Sequence, residues 1–468
     1  MRRGVLVGLS GAMVAAVTAG CAARGIEAGA TPVARPSGAA FTAALPPGFS
    51  AQSIWSETVP WKMTINVSGG GALAPDLGLM VMQGEGGVAR VVGSSVAVIS
   101  FTPASSSSPA TRTLQFRSLA DGALLKSVSL TDDGYSGMGA DTVSGRPVVV
   151  VYTTSDAPAD EKAGGGKPVK VASVYGADGS LVWTSRGQAL AASAGEPGLE
   201  TYDDGYPVFG GGYAVRSDGA GESEVLDTTG RAVLKIAGQA AQVSLDGGYA
   251  LVSQSAGSGS DARVSMDAYD LEHGGTGVGQ WSEAAAASGQ APNLLTASGG
   301  RLLAAWPARS GTANATALAV LDTATGKAST IASLPAGLAS PNNLGAVLDP
   351  ATGDTYVYDQ AKMTSASAMI RLSSATALWT RQSEQDALVP ISVHGGAIYA
   401  VQLGSTVAAM SLATVSETDG AVTAGSFKVV PFAFTASGAA VLGQSTSPTV
   451  LSALQIGVSS IEPGRDRE

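Results

Sequence analysis

Ala319-Val320-Leu321-Asp322-Thr323-Ala324-Thr325-Gly326-Lys327 is the stretch whose reading decides the fold. An apolar run leads into an aspartate, then a Thr-Gly pair, then a lysine that opens a second run. Aspartate caps a turn through its own carboxylate and glycine accepts positive φ, so the stretch reads as a tight hairpin between two strands. The pattern recurs at Leu114–Leu125 around Asp121-Gly122, at Val174–Trp183 around Asp178-Gly179 and at Val225–Leu234 around Thr229-Gly230. Weaker copies turn at Gly275, at Ala375 before Trp379, and at Gly420. The turns at 122, 179, 230, 275, 326, 375 and 420 are spaced by 57, 51, 45, 51, 49 and 45 residues. A period of this size, with several strands in each unit, is the mark of a β-propeller.

A further apolar strand precedes each hairpin, as in Ser95–Ile99, Pro147–Val151, Gly248–Val252, Arg301–Ala305 and Ala397–Val401, which brings the unit to four strands. After Gly420 the chain offers three more strands, near Val429–Phe434, Ala439–Leu442 and Val450–Leu454, and then ends without a fourth. Ser53-Ile54-Trp55-Ser56, far upstream, matches the fourth-strand copies Leu181–Thr184 and Leu378–Thr380. An N-terminal strand that completes the last blade would close the ring and remove the open edge. The expected fold is therefore all-β, a propeller of eight four-stranded blades over residues 45–460, with a 461–468 tail. The alternative is seven blades with 45–90 as a separate extension. Glu283–Ala287 is the best helical candidate.

The N-terminus carries an address. Met1-Arg2-Arg3 is followed by an apolar run from Gly4 to Val17, then Thr18-Ala19-Gly20-Cys21. A basic start, an apolar stretch and small residues make a secretory signal. The run is shorter than the roughly 20 residues that span a bilayer, which weighs against the rival reading of an uncleaved anchor. Cys21 at the cleavage point resembles the lipobox of bacterial lipoproteins. The resemblance implies that residues 1–20 are removed, that Cys21 carries the lipid, and that residues 21–44, rich in Ala, Gly and Pro, form a tether at the extracytoplasmic face of a membrane.

Cys21 is the sole cysteine, so no disulfide forms within the chain, and with only two histidines a Cys/His zinc site has too few ligands. The formal net charge is −10, and loss of Arg2 and Arg3 with the signal leaves the chain two units more acidic. Such a balance excludes a nucleic-acid surface, which needs clustered Lys and Arg. A monomer without a nucleic-acid partner is expected.

Two segments repeat an acidic turn: Asp132-Asp133-Gly134-Tyr135 and Asp203-Asp204-Gly205-Tyr206, with Asp246-Gly247-Gly248-Tyr249 as a relative. The first two fall between an outer strand and the next inner strand, at the end of a propeller where ligands enter. Asp132, Asp133, Tyr135, Asp203, Asp204 and Tyr206 are the candidate ligand-face residues, against the plainer reading that Asp-Gly simply makes a turn. His273 and His394 lie beside Gly pairs and read as turn residues. Trp306, before Pro307, is the best guess for an exposed aromatic site.

Asp322-Thr323-Ala324-Thr325-Gly326-Lys327 and Ala177-Asp178-Gly179-Ser180-Leu181-Val182-Trp183 resemble the repeat of the pyrroloquinoline-quinone-dehydrogenase-like β-propellers. In that repeat the tryptophan docks against the neighbouring blade. The quinone enzymes of the family also carry a vicinal disulfide and a calcium site. The disulfide is impossible here, so the resemblance implies the fold alone, with no cofactor and no metal. Lipid-anchored members of the superfamily include scaffold lipoproteins. Two functions are thus expected in order: a non-catalytic envelope binding or scaffold protein, or an envelope hydrolase or lyase acting on a sugar or lactone through funnel carboxylates.

Overall fold

The computed structural model describes residue 41 and most of residues 44–461; residues 1–40, 61–88, 131–136, 188–208 and 462–468, with shorter stretches between strands, lie outside the described residues. Among the described residues the strands form eight four-stranded antiparallel sheets. Each sheet is one blade of a β-propeller, with strands A to D running outward from the axis. Blade 5 shows the plan: A Asn293–Ser298, B Arg301–Trp306, C Ala317–Asp322, D Lys327–Ser333.

The B strands read as unbroken apolar runs because both of their faces are buried. Leu302, Ala304 and Trp306 of blade 5 pack with Leu251 and Met266 of blade 4. The alternate residues Leu303 and Ala305 pack with Val357 and Ile370 of blade 6. The period-2 alternation of a strand thus joins each blade to both neighbours, and the core is a ring of such layers.

All seven turn residues singled out above lie in the left-handed region, with φ from 50° at Ala375 to 82° at Gly230. The turn chemistry explains the motif. Asp322 Oδ1 accepts from the Thr325 N–H (3.0 Å) and from Thr325 Oγ1 (3.1 Å), and the Gly326 N–H closes the turn on the Asp322 carbonyl (2.8 Å). At Gly122 a second constraint acts. A Cβ there would sit 2.8 Å from Trp55, in the D strand of the preceding blade. Glycine is required by backbone conformation and by close approach together.

Blade 8 is completed as expected. Its three C-terminal strands, Val429–Phe434, Ala439–Ser445 and Ala453–Ile461, are joined at the outer edge by Phe49–Pro60. Ser459 Oγ donates to the Ser50 carbonyl (2.8 Å) across that seam. The same N-terminal strand grips blade 1: Trp55 Nε1 donates to the Leu119 carbonyl (3.0 Å), and Glu57 pairs with Arg117 (2.6 Å). The seven-blade alternative is excluded. The helical candidate Glu283–Ala287 is also corrected. Its first two residues end the strand Thr276–Ala284, where Ala284 pairs with Arg263, so ladder pairing overrides local helix propensity there; residues 285–287 lie outside the described residues.

Candidate functional site

The candidate residues Cys21, Asp132, Asp133, Tyr135, Asp203, Asp204 and Tyr206 lie outside the described residues. The described carboxylates of interest fall in two other places, one on the inner ring and one between blades 6 and 7.

On the inner ring, a recess of about 290 Å³ is lined by Asp141, Tyr152, Ser244, Asp246, Leu294 and Leu295, among others. Asp141 belongs to the A strand of blade 2 (Gly137–Val143) and Asp246 ends the A strand of blade 4 (Gln242–Asp246). Both carboxylates stitch one blade to the next. The Gly211 N–H donates to both oxygens of Asp141 (3.1 and 3.0 Å), and the Thr142 N–H adds a third bond (2.6 Å). Asp246 Oδ2 accepts from the Ala297 N–H of blade 5 (2.6 Å). Burial pushes the Asp141 carboxyl above its ordinary value against these donors. Asp246 is pushed up to about 6, mainly by burial and further by the negative charge of Asp141. Two half-buried carboxylates, in a recess with two hydroxyls and two leucines, favour a positively charged group with an aliphatic body.

The second cluster surrounds Glu417. In blade 7 the turn Ser416-Glu417-Thr418-Asp419-Gly420 aligns position for position with Ser118-Leu119-Ala120-Asp121-Gly122 of blade 1 and shares its Ser, Asp and Gly. The equivalence is structural. Leu119, Leu271, Thr323, Leu372 and Glu417 each donate their N–H to the A–B turn of their own blade. Leu271 and Leu372 are buried at this position. Glu417 is buried too, at 9% exposure, and its Oε1 has no hydrogen-bond partner. Its carbonyl accepts from Trp379 Nε1 of blade 6 (2.7 Å), the bond that Trp55 makes to Leu119.

The neighbours of Glu417 are already engaged. Asp354 holds Arg371 with two bonds (2.7 and 2.9 Å). Asp349 accepts from the Ala351 N–H and from Thr352 Oγ1 (2.9 and 3.0 Å). Burial first, then the charges of Asp349 and Asp354, push Glu417 up to about 7, with Arg371 acting in the opposite direction. Sequence reading missed Glu417, Asp141 and Tyr152. Glu417 carried no signal: three residues before the turn position the seven copies have Leu119, Gly176, Asp227, Glu272, Thr323, Leu372 and Glu417, so no apolar pattern marks it. Asp141 carried none, because its partner Gly211 is 70 residues away.

Trp306 corrects an expectation. It is 5% exposed and packs edge-on against Trp281 (6.4 Å between centroids), so it is core. His273 sits in its turn as expected, with Nδ1 2.8 Å from Asp270 Oδ2. His394 closes the A strand Ala387–His394 and stacks on Phe434 of blade 8 (4.3 Å, 11°). Among the described residues no cluster of His, Cys, Asp and Glu is arranged to hold a metal ion.

No family model matches the chain, and no curated protein matches it. Solved structures to which it is similar include BamB from Moraxella catarrhalis, with 14% identity, 79% of this chain and 95% of that one covered, and a TM-score of 0.36. The computationally designed Ika8 protein matches with 11% identity, 79% and 94% coverage and a TM-score of 0.42. The dihydro-heme d1 dehydrogenase NirN matches with 13% identity, 74% and 72% coverage and a TM-score of 0.41. At such identities no activity and no partner passes from these proteins to this chain.

Proposed function

We propose that this chain is a lipid-anchored binding propeller of the cell envelope, held at the extracytoplasmic face by Cys21 and taking a cationic side chain of a partner protein into the inner-ring recess. The observation that carries the reading is the recess itself, which the half-buried Asp141 and Asp246 line together with Leu294 and Leu295. A lysine or arginine would bring both the charge that relieves the two carboxylates and a methylene stem for the leucines. The test is capture from cross-linked membranes by wild type and by an Asp141→Asn/Asp246→Asn double variant. A stoichiometric partner held by the wild type and lost by the variant supports the proposal. Equal capture, or repeated absence of any partner, refutes it.

The raised Asp246 carboxyl, in a recess with a second carboxylate, also favours the alternative of an envelope hydrolase or lyase, since a carboxyl pushed up to about 6 can exchange protons near the operating pH. Turnover of sugar or lactone substrates that follows protonation near pH 6 and vanishes in Asp246→Asn would select that reading over binding.

A further inference from the structure

The large hydrophobic side chains exposed among the described residues are Leu124 (51%), Leu125 (49%), Leu181 (58%), Val182 (49%) and Val422 (42%). All five sit at the beginning of outer D strands: Leu124–Leu130 in blade 1, Leu181–Gly187 in blade 2 and Val422–Phe427 in blade 7. Blades 7, 8, 1 and 2 are consecutive around the ring. The corresponding strands of blades 3 to 6 begin with Ala232, Thr276, Lys327 and Thr376. The unguarded apolar edge is therefore confined to one sector of the rim.

Blade 8, in the middle of that sector, is where the N-terminal chain joins the body. Phe41 is buried at 8% exposure with Phe49, Tyr399 and Leu412, and Gly48 leads into the D strand Phe49–Pro60. Nineteen residues separate Cys21 from Phe41. A chain of that length has a root-mean-square reach of about 25 Å, so a lipid on Cys21 would hold this sector close to the bilayer.

We propose that the rim of blades 7, 8, 1 and 2 rests on the lipid surface, with Leu124, Leu125, Leu181, Val182 and Val422 entering the headgroup–acyl boundary. The proposal rests on the lipid-anchor reading above. Exposed aliphatics on sheet edges invite strand pairing and aggregation. Contact with lipid removes that liability where the anchor brings the bilayer near, and Lys126, exposed beside Leu125 on the same outer strand, can keep its ammonium at the headgroups. The turn carboxylates of Asp121, Asp178 and Asp419 are held below their ordinary values by hydrogen bonds, so they stay charged and keep the contact shallow.

The experiment uses the full lipidated chain reconstituted into phosphatidylcholine vesicles containing acyl-chain nitroxide lipid. Leu124→Cys and Leu181→Cys, one at a time, carry an environment-sensitive fluorophore; Thr276→Cys and Lys327→Cys are the far-rim references. The expected result is blue-shifted emission and strong quenching at 124 and 181, with neither at 276 and 327. Flotation of the same samples reads the anchor separately. Protein that floats but is quenched equally at all four positions refutes the rim contact and leaves the anchor standing. Protein that does not float refutes the anchor and the rim contact with it. Label–label self-quenching at 124 or 181 without nitroxide quenching assigns the patch to a second copy and overturns the proposal.

Discussion

Replacing Glu417 by glutamine should stabilise the protein, and only above the acid range. The side chain keeps its shape and loses a charge that is buried beside Asp349 and Asp354 with Oε1 unpartnered. In the unfolded chain the carboxyl titrates near the ordinary glutamate value of 4.5, and in the folded protein it is pushed up to about 7. The folded state thus binds the proton more tightly, and wild-type stability falls as pH rises between those two values. Below the lower value both states are protonated and the variant gains nothing. Above pH 7 the gap is complete, and at about 1.4 kcal/mol per unit it would reach roughly 3 kcal/mol. The turn lies near the surface, where solvent screens part of this, leaving about 2 kcal/mol. With about 2.1 cal/mol/K of unfolding entropy per residue, a body of roughly 430 residues turns that into a rise of about 2 °C in melting temperature. Thermal melts of wild type and Glu417→Gln at pH 8 and pH 4 measure it. A variant that melts at or below the wild type at pH 8, or gains equally at both pH values, would show that the carboxylate is not a buried cost. Glu417→Leu, which restores the residue found at 119, 271 and 372, should gain at least as much at pH 8.

Asp246→Asn should behave alike on the inner ring, raising the melting temperature at pH 8 and not at pH 4, because a carboxyl pushed up to about 6 is ionised at the higher pH only. Unchanged melts at both values would mean that the bond from Ala297 offsets the burial. Gly122→Ala and Gly230→Ala separate backbone strain from packing. Both have positive φ, but a Cβ at Gly122 meets Trp55 at 2.8 Å while one at Gly230 meets nothing within 4 Å. Denaturant titration should show a loss of about 1 kcal/mol at Gly230 and about 3 kcal/mol at Gly122, and equal losses would refute the packing term. Trp55→Ala, at the closing seam, should cost about 3–5 kcal/mol and expose the blade 8–blade 1 junction to proteolysis. Cys21→Ser should leave the fold intact and move the secreted protein from the membrane to the soluble fraction; retention on the membrane would refute the lipid anchor.

The hairpin repeat, its period and even the strand exchange that closes the ring were legible in the sequence, because each depends on local rules. Asp-x-x-Thr-Gly makes a turn from its own atoms, and an apolar run with a tryptophan declares a strand wherever it lies, so Ser53–Ser56 could be matched to Leu181–Thr184 across the whole chain. Glu283–Ala287 was misread because helix propensity was judged without the partner strand. Trp306 was misread because a tryptophan before proline looks irregular until Trp281 is seen packed against it.

What the sequence alone determined is the repeating unit and the strand exchange, with eight units favoured over seven. Which carboxylates matter was decided by tertiary structure. Asp141 and Asp246 stand in different blades, and only the packing of blades 2 to 4 brings them to one half-buried recess. Glu417 is an ordinary turn residue by its neighbours in the chain. Blades 6 and 7 bury it beside Asp349 and Asp354, and burial is what turns a surface charge into a proton-sensitive one. The physical reason is common to both: turn and strand formation are settled within a few residues, whereas desolvation and charge coupling depend on what other blades place nearby.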